Sequence, residues 1–148
     1  MTERARVSWL LQAIFTASAT ATFTPGTGGG SALVLTPPYK LRLMSANGSP
    51  INTATGTELT TTGGYTALGA SMGSSAFGAP TAGVATNSNL VSWAATGTWA
   101  TVVGIEIWDS AGTPLRWLQG SITSITGVVN GDTVQFAIGS ISADSSQW

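Results

Sequence analysis

The side chains able to do chemistry in this 148-residue chain are few, and two types are missing. There is no His and no Cys. That removes Cys/His zinc sites, haem ligation through His, a Ser-His-Asp triad, a thiol nucleophile and any disulfide framework. The carboxylates are Glu3, Glu58, Glu106, Asp109, Asp132 and Asp144. A glycosidase needs two carboxylates facing each other across a cleft. Glu106 and Asp109 are the pair closest in sequence, but Glu106 falls inside a strand pattern. Asp109 opens a turn, where Asp bonds its own backbone, and Asp132, after Asn130-Gly131, has the same explanation. No D-x-D-x-D-G series is present to build a calcium loop. Gly28-Gly29-Gly30 lacks the Lys-Ser/Thr and the following helix of a phosphate loop. No catalytic residue, metal site or cofactor is expected.

The six Trp are the other distinctive set: Trp9, Trp93, Trp99, Trp108, Trp117 and Trp148. Trp108 and Trp117 flank one hairpin turn and are the candidate surface aromatics, since exposed rings can serve as sugar platforms. Core packing or subunit contact is the more general role of Trp.

Mapping these residues onto elements begins with residues 2–17, which read as an amphipathic helix. Val7, Leu10, Leu11, Ile14 and Phe15 fall on one helical face. Thr2 suits the N-cap, and Glu3 suits the positive end of the dipole. Arg4, Arg6, Trp9 and Leu10 are candidate interface residues on this helix. Ser8 and Gln12 break the apolar run and Glu3 sits in the basic region before it, so neither a cleaved leader nor a membrane span is expected. Residues 19–36, rich in Thr, Ala and Gly, read as an arm or linker. Phe23 in that arm and Trp148 at the far end complete the candidate interface set.

From residue 37 to 148 the chain reads as short strands and turns. Tyr39–Met44 alternates, with Tyr39, Leu41 and Leu43 on one face and Lys40, Arg42 and Met44 on the other. A short strand is expected at 58–61, and an irregular small-residue loop at 69–85 with Phe77 as its large anchor. Strands are expected at 88–94 and 101–108, the latter with Val103, Ile105 and Ile107 on one face and Glu106 and Trp108 on the other. The turn at 109–114 leads into a strand at 115–120, giving an antiparallel hairpin. The last clear strand is 133–138, with Val134, Phe136 and Ile138 inward. Strands this short and closely spaced indicate an antiparallel β-sandwich or jelly-roll-like domain, preceded by the helix at 1–18 and the arm at 19–36.

Charge is the strongest compositional signal. Charged residues make up 7% of the chain and the formal net charge is −1, against about 25% charged residues in an ordinary soluble domain. Five basic residues neutralise too few phosphates for duplex binding, so no nucleic-acid partner is expected. Thr, Ser and Gly, at 23, 17 and 19 residues, supply much of the surface instead. A neutral, hydroxyl-rich surface is weakly protected against association and less costly to desolvate than a charged one. It is expected to pack against protein neighbours.

In order and spacing, several motifs resemble a group of small tailed-phage virion proteins often labelled tail-fibre-like. These are Leu41-Arg42-Leu43-Met44, Thr62-Gly63-Gly64-Tyr65, Trp99-Ala100-Thr101-Val102 running on to Trp108-Asp109, Leu115-Arg116-Trp117-Leu118-Gln119-Gly120, Asn130-Gly131-Asp132-Thr133 and Gly139-Ser140-Ile141. The long arm at 16–36 and the tail from Ser142 to Trp148 depart from that layout. The resemblance implies a non-enzymatic virion protein and transfers no catalytic residue. With no repeat or shaft-like heptads, a capsid decoration or cement protein on the capsid exterior is the first expectation. Its partners would be the major capsid protein and copies of itself, clustered as trimers. The alternative is a tail-fibre or tail-tip protein that binds a host glycan or receptor.

Overall fold

The structure is a computed structural model that describes residues 21–23, 33–49, 56–73 and 75–144. The helix expected at 1–18 lies outside the described residues, as do Arg4, Arg6, Trp9, Leu10 and Trp148. The described part is all strand, turn and loop. Within the arm, β1 (Ala21–Phe23) and β2 (Leu33–Leu35) pair antiparallel, with Phe23 opposite Leu33.

Nine further strands follow among the described residues: β3 (Lys40–Ala46), β4 (Thr57–Glu58), β5 (Ala70–Ser71), β6 (Val84–Thr86), β7 (Val91–Ala94), β8 (Val102–Trp108), β9 (Arg116–Ile125), β10 (Thr133–Phe136) and β11 (Ser142–Asp144). Five of these strands form the central sheet, in the order β4-β3-β8-β9, with β5 paired to β3 beside β4. All its pairings are antiparallel. The hairpin expected across 109–114 is present as β8–β9, and β9 runs five residues beyond the expected end at Gly120. Two further antiparallel pairs, β7–β10 and β6–β11, complete the described strands.

One core joins these sheets. Tyr39, just before β3, and Leu41 and Leu43 within it are buried with Val91, Trp93, Val102, Ile107, Val134 and Ala143. The face expected of the Tyr39–Met44 alternation is therefore the core face. Tyr65 anchors the aromatic part, its ring 6.1 Å from Trp93 and 5.9 Å from Trp99, with Trp93 edge-on to Phe136 at 6.3 Å. Such pairings add to the area the rings bury.

Three expectations need correction. Ile138 does not point inward. β10 ends at Phe136, the chain turns through Ala137–Ser140, and Ile138 is 68% exposed. The 69–85 stretch has more anchors than Phe77, because Met72, Ala76 and Ala85 are also buried and β5 lies within it. Finally, the second face of the central sheet is covered. Arg42, Met44 and Glu106 are buried although the alternation put them opposite the core.

The cover comes from the chain that leaves β3. Gly104 lacks the side chain that would strike Asn47 Oδ1, so Asn47 lies flat on the sheet and donates to Ser121 Oγ at 3.0 Å. Gly56 returns close beneath the Ala46 carbonyl. A second close approach sits farther along the same edge of β3, at Gly69. Its φ is 74°, and a Cβ there would land on the Leu41 carbonyl. Gly69→Ala is expected to cost about 2–4 kcal/mol, combining left-handed strain with a backbone clash; urea melts of the two proteins measure it.

Candidate functional site

Charge in the described chain is concentrated on the covered face of the central sheet. β3 and β8 set Arg42 directly opposite Glu106, and β4 sets Glu58 opposite Met44. β9 adds Gln119 opposite Glu106 and Arg116 opposite Trp108. Alternation on neighbouring antiparallel strands puts these side chains on one face.

Two linked ion pairs result. Glu106 is 1% exposed. Its Oε1 accepts from Arg116 Nη1 at 3.0 Å and from the Gly56 N–H at 2.9 Å. Its Oε2 accepts from Trp108 Nε1 at 2.9 Å. Arg116 also donates to Gln119 Oε1 and to the Ser49 carbonyl, both at 2.9 Å. Arg42 donates to Glu58 Oε2 at 3.4 Å, and its guanidinium carbon lies 4.0 Å over the Trp108 ring centre. Glu58 Oε1 accepts from the Tyr65 hydroxyl at 2.8 Å, and that oxygen in turn accepts from the Leu43 N–H at 3.1 Å. The network ties β3, β4, β8, β9 and the returning chain together, and each carboxylate is matched by an arginine.

This arrangement holds structure and does not open to a substrate. Glu106 is sealed off and already accepts three donors. A general acid or nucleophile needs access and a free lone pair. Asp109 caps its own turn, with Oδ1 accepting from Leu115 N–H at 2.8 Å and Ala111 N–H at 3.4 Å. Asp132 does the same, accepting from Val129 N–H at 2.8 Å. Among the described residues no three acidic side chains cluster to hold a metal. A shallow open groove of about 360 Å³ runs between Ile125–Val128 and Asp132–Gln135, with Asp132 its one ionisable lining group.

The candidate aromatics are both half-buried. Trp108 donates from its ring edge to Glu106 and carries the Arg42 guanidinium over one face, and Trp117 packs against the core. Phe23 lies on the β1–β2 pair. Sequence reasoning singled out none of Arg42, Glu58 and Arg116 as a network. The available signal was opposite charges at matching parity on adjacent strands, next to a glycine on the same face.

Two tyrosines report on this packing. Burial first, and then the Asp109 charge, pushes the Tyr39 phenol up to about 12 from an ordinary 10.0. Burial also pushes the Tyr65 phenol well up; the Leu43 N–H opposes that and Glu58 adds to it. Both phenols stay neutral in the fold and ionise more easily once it opens. Their contribution is thus complete below pH 10.0 and is lost as pH rises toward 12. The melting temperature is expected to fall across that interval, and Tyr39→Phe should flatten the fall.

No match was found among curated proteins or among solved structures. A family model, described as podophage GP4 fiber I protein gp80, matches residues 27–144. That span takes in every strand from β2 to β11 and the whole charged network. By that match over most of its length, the chain belongs to this podophage fibre protein family, a family of phage tail-fibre-like structural proteins.

Proposed function

We propose that the chain is a non-enzymatic structural subunit of a tailed-phage virion, built into the tail fibre or tail tip. The observation that carries this reading is the family match across 27–144. The closed network around Glu106 agrees with it, since the buried charges are spent on holding the sheet together. The surface left over is hydroxyl-rich and sparsely charged, with Asp132 and Asp144 exposed on it, which suits contact with protein neighbours. The core shared by the five-stranded sheet and the β7–β10 and β6–β11 pairs supports reading 37–148 as one sandwich-like domain. Residues 1–18 would then be a docking helix and 19–36 the arm that carries it, with Arg4, Arg6, Trp9, Leu10, Phe23 and Trp148 as contact residues.

A capsid decoration protein, bound to the major capsid protein, is the second reading. The low charge favours it equally, but the family's description as a fibre protein favours the tail. Host-receptor contact through Trp108 and Trp117 has less support, because both rings are engaged within the domain. Labelling intact particles with an antibody to this chain tests the proposal. Label on the tail is expected. Label over the capsid shell would return the decoration reading, and absence from the particle would overturn both. Contact through uncharged faces should also be only weakly salt-dependent; release of the subunit from particles by moderate salt would contradict that.

A further inference from the structure

We propose that one buried water is bound between Asp109 and Trp117 on the core face of the central sheet, and that it completes the hydrogen bonding of both side chains. Asp109 is 1% exposed, and only one of its oxygens is served. Oδ1 accepts from the Leu115 and Ala111 N–H groups, whereas Oδ2 is buried and no donor among the described residues reaches it. Neither ion pair among the described residues includes this carboxylate. Trp117 poses the converse problem, because its Nε1 is buried and meets no acceptor. A carboxylate oxygen accepts and an indole N–H donates. Polar atoms sealed in a folded interior are almost always met by protein or by ordered water.

The strands bring the two side chains to one place. β8 and β9 pair Ile107 with Leu118 but Trp108 with Arg116, so Trp117 is the extra residue of a bulge. A bulge re-aims its side chain, and the Trp117 ring packs against the core. Asp109 follows β8 at the same end, with its N–H bonded to the carbonyl of Leu115, two residues before Trp117. Alternation from the buried Ile107 puts Asp109 on the core face too. Tyr39 closes the third side. β3 pairs Lys40 with Trp108, so Tyr39, one residue earlier, comes beside Asp109, whose charge reaches its phenol.

Water fits this set better than a cation does. It accepts from the indole while donating to the carboxylate, and the Tyr39 hydroxyl can give or accept a further bond. That makes about three bonds, the usual number for a buried water. A cation would be drawn to Oδ2 but would face the positive end of the indole N–H. Trp93 is the internal contrast. Its Nε1 is likewise buried without an acceptor, but its ring lies against those of Tyr65 and Phe136, and apolar sites of that kind stay dry. The water has a structural consequence at the root of the arm. Ser110, next to Asp109, donates from its N–H to the Thr36 carbonyl and from its hydroxyl to the Pro38 carbonyl. The turn that the water braces is thus the one that holds the chain where the arm enters the domain.

The test uses the whole chain, isotope-labelled, with the tryptophan indole N–H signals resolved by nuclear magnetic resonance. Magnetisation transfer from water should reach the Trp117 indole N–H with the sign of a long-held water, and should be absent at Trp93. The transfer should persist in Tyr39→Phe, which removes the hydroxyl as a relay for exchanging protons. A crystal structure of the same chain should show a density peak about 2.7–3.2 Å from both Trp117 Nε1 and Asp109 Oδ2. A Trp117 indole without water transfer overturns the proposal, as does transfer that disappears in a folded Tyr39→Phe protein. A direct bond from Nε1 to Oδ2 in the crystal overturns it too, and so does a peak coordinated by oxygens alone at the shorter distances of a cation.

Discussion

Glu106→Leu should be among the most destabilising single substitutions in this domain, lowering unfolding free energy by about 3–5 kcal/mol. The carboxylate is 1% exposed and answers three donors at once: Arg116 Nη1, the Gly56 N–H and Trp108 Nε1. Leucine has similar bulk, so the loss is one of partners and not of packing volume. Arg116 would keep Gln119 and the Ser49 carbonyl but lose its counter-charge in a site with little water. The comparison with Glu58→Leu is informative. Glu58 is more exposed and its pair with Arg42 is longer, at 3.4 Å against 3.0 Å. Solvent supports more of that charge, so the loss should be distinctly smaller. The double substitution Glu106→Leu with Arg116→Met should recover much of the loss, because removing both charges avoids the uncompensated one. Denaturant unfolding of the parent, Glu106→Leu, Arg116→Met and the double variant closes the cycle. A Glu106→Leu loss no larger than that of Glu58→Leu would mean that the network is not the tie between the sheet and its cover.

The core face of this domain was open to sequence reading, and the covered face was not. Alternation in Tyr39–Met44 identified Tyr39, Leu41 and Leu43, because a half-buried strand repeats every two residues whatever lies beyond it. The turn at 109–114 identified the β8–β9 hairpin for an equally local reason. The network failed to show because it depends on a long-range event, the return of Asn47–Ser49 and Gly56 over Gly104 and Glu106. Alternation assigns charged residues to solvent and has no means of knowing that another part of the chain will arrive there. Ile138 failed in the opposite way. Its parity matched Val134 and Phe136, but the strand ended before reaching it. Most of the candidate contact residues sit on the terminal segments, and the family match begins at residue 27, inside the arm.

That division bears on how the subunit works. A fibre protein has to keep a defined shape with few neighbours inside its own chain. Here the rigidity comes from a sheet held on both sides, apolar on one and ion-paired on the other. Burying the arginines with their glutamates leaves the outer surface without strong fields. On the proposed role, neighbouring subunits would pack against it without strong repulsion and with little salt-dependent attraction.

Asn87→Leu should cost about 2–4 kcal/mol and should loosen the second layer first. Asn87 is buried between β6 and β7, and its side chain does the work of a missing strand pairing. Oδ1 accepts from the Ile141 N–H at 2.8 Å, and Nδ2 donates to the carbonyls of Asn89 and Ala137, both at 2.9 Å. Its backbone N–H reaches the Ile141 carbonyl and its carbonyl receives the Gly139 N–H, so one residue fastens the whole turn between β10 and β11. Leucine fills the space but leaves the buried Ile141 N–H without an acceptor. The Ala137 carbonyl suffers less, since Ser140 already donates to it from backbone and hydroxyl. Amide exchange at Ile141 should therefore accelerate more than exchange at Leu41 or Leu43 in the central sheet. Asn87→Asp separates the two halves of the side chain. The acceptor for Ile141 is retained, but an oxygen now faces two carbonyl oxygens. The ionised form is disfavoured in the fold and the carboxyl pKa rises there. Stability would then be present at acid pH, where the protonated oxygen can still donate, and be lost as pH rises through that raised value. A substitution that weakens the protein at neutral pH and is partly relieved by acid would identify the Nδ2 donation as the clasp. Equal losses at both pH values would assign the whole effect to the Ile141 contact.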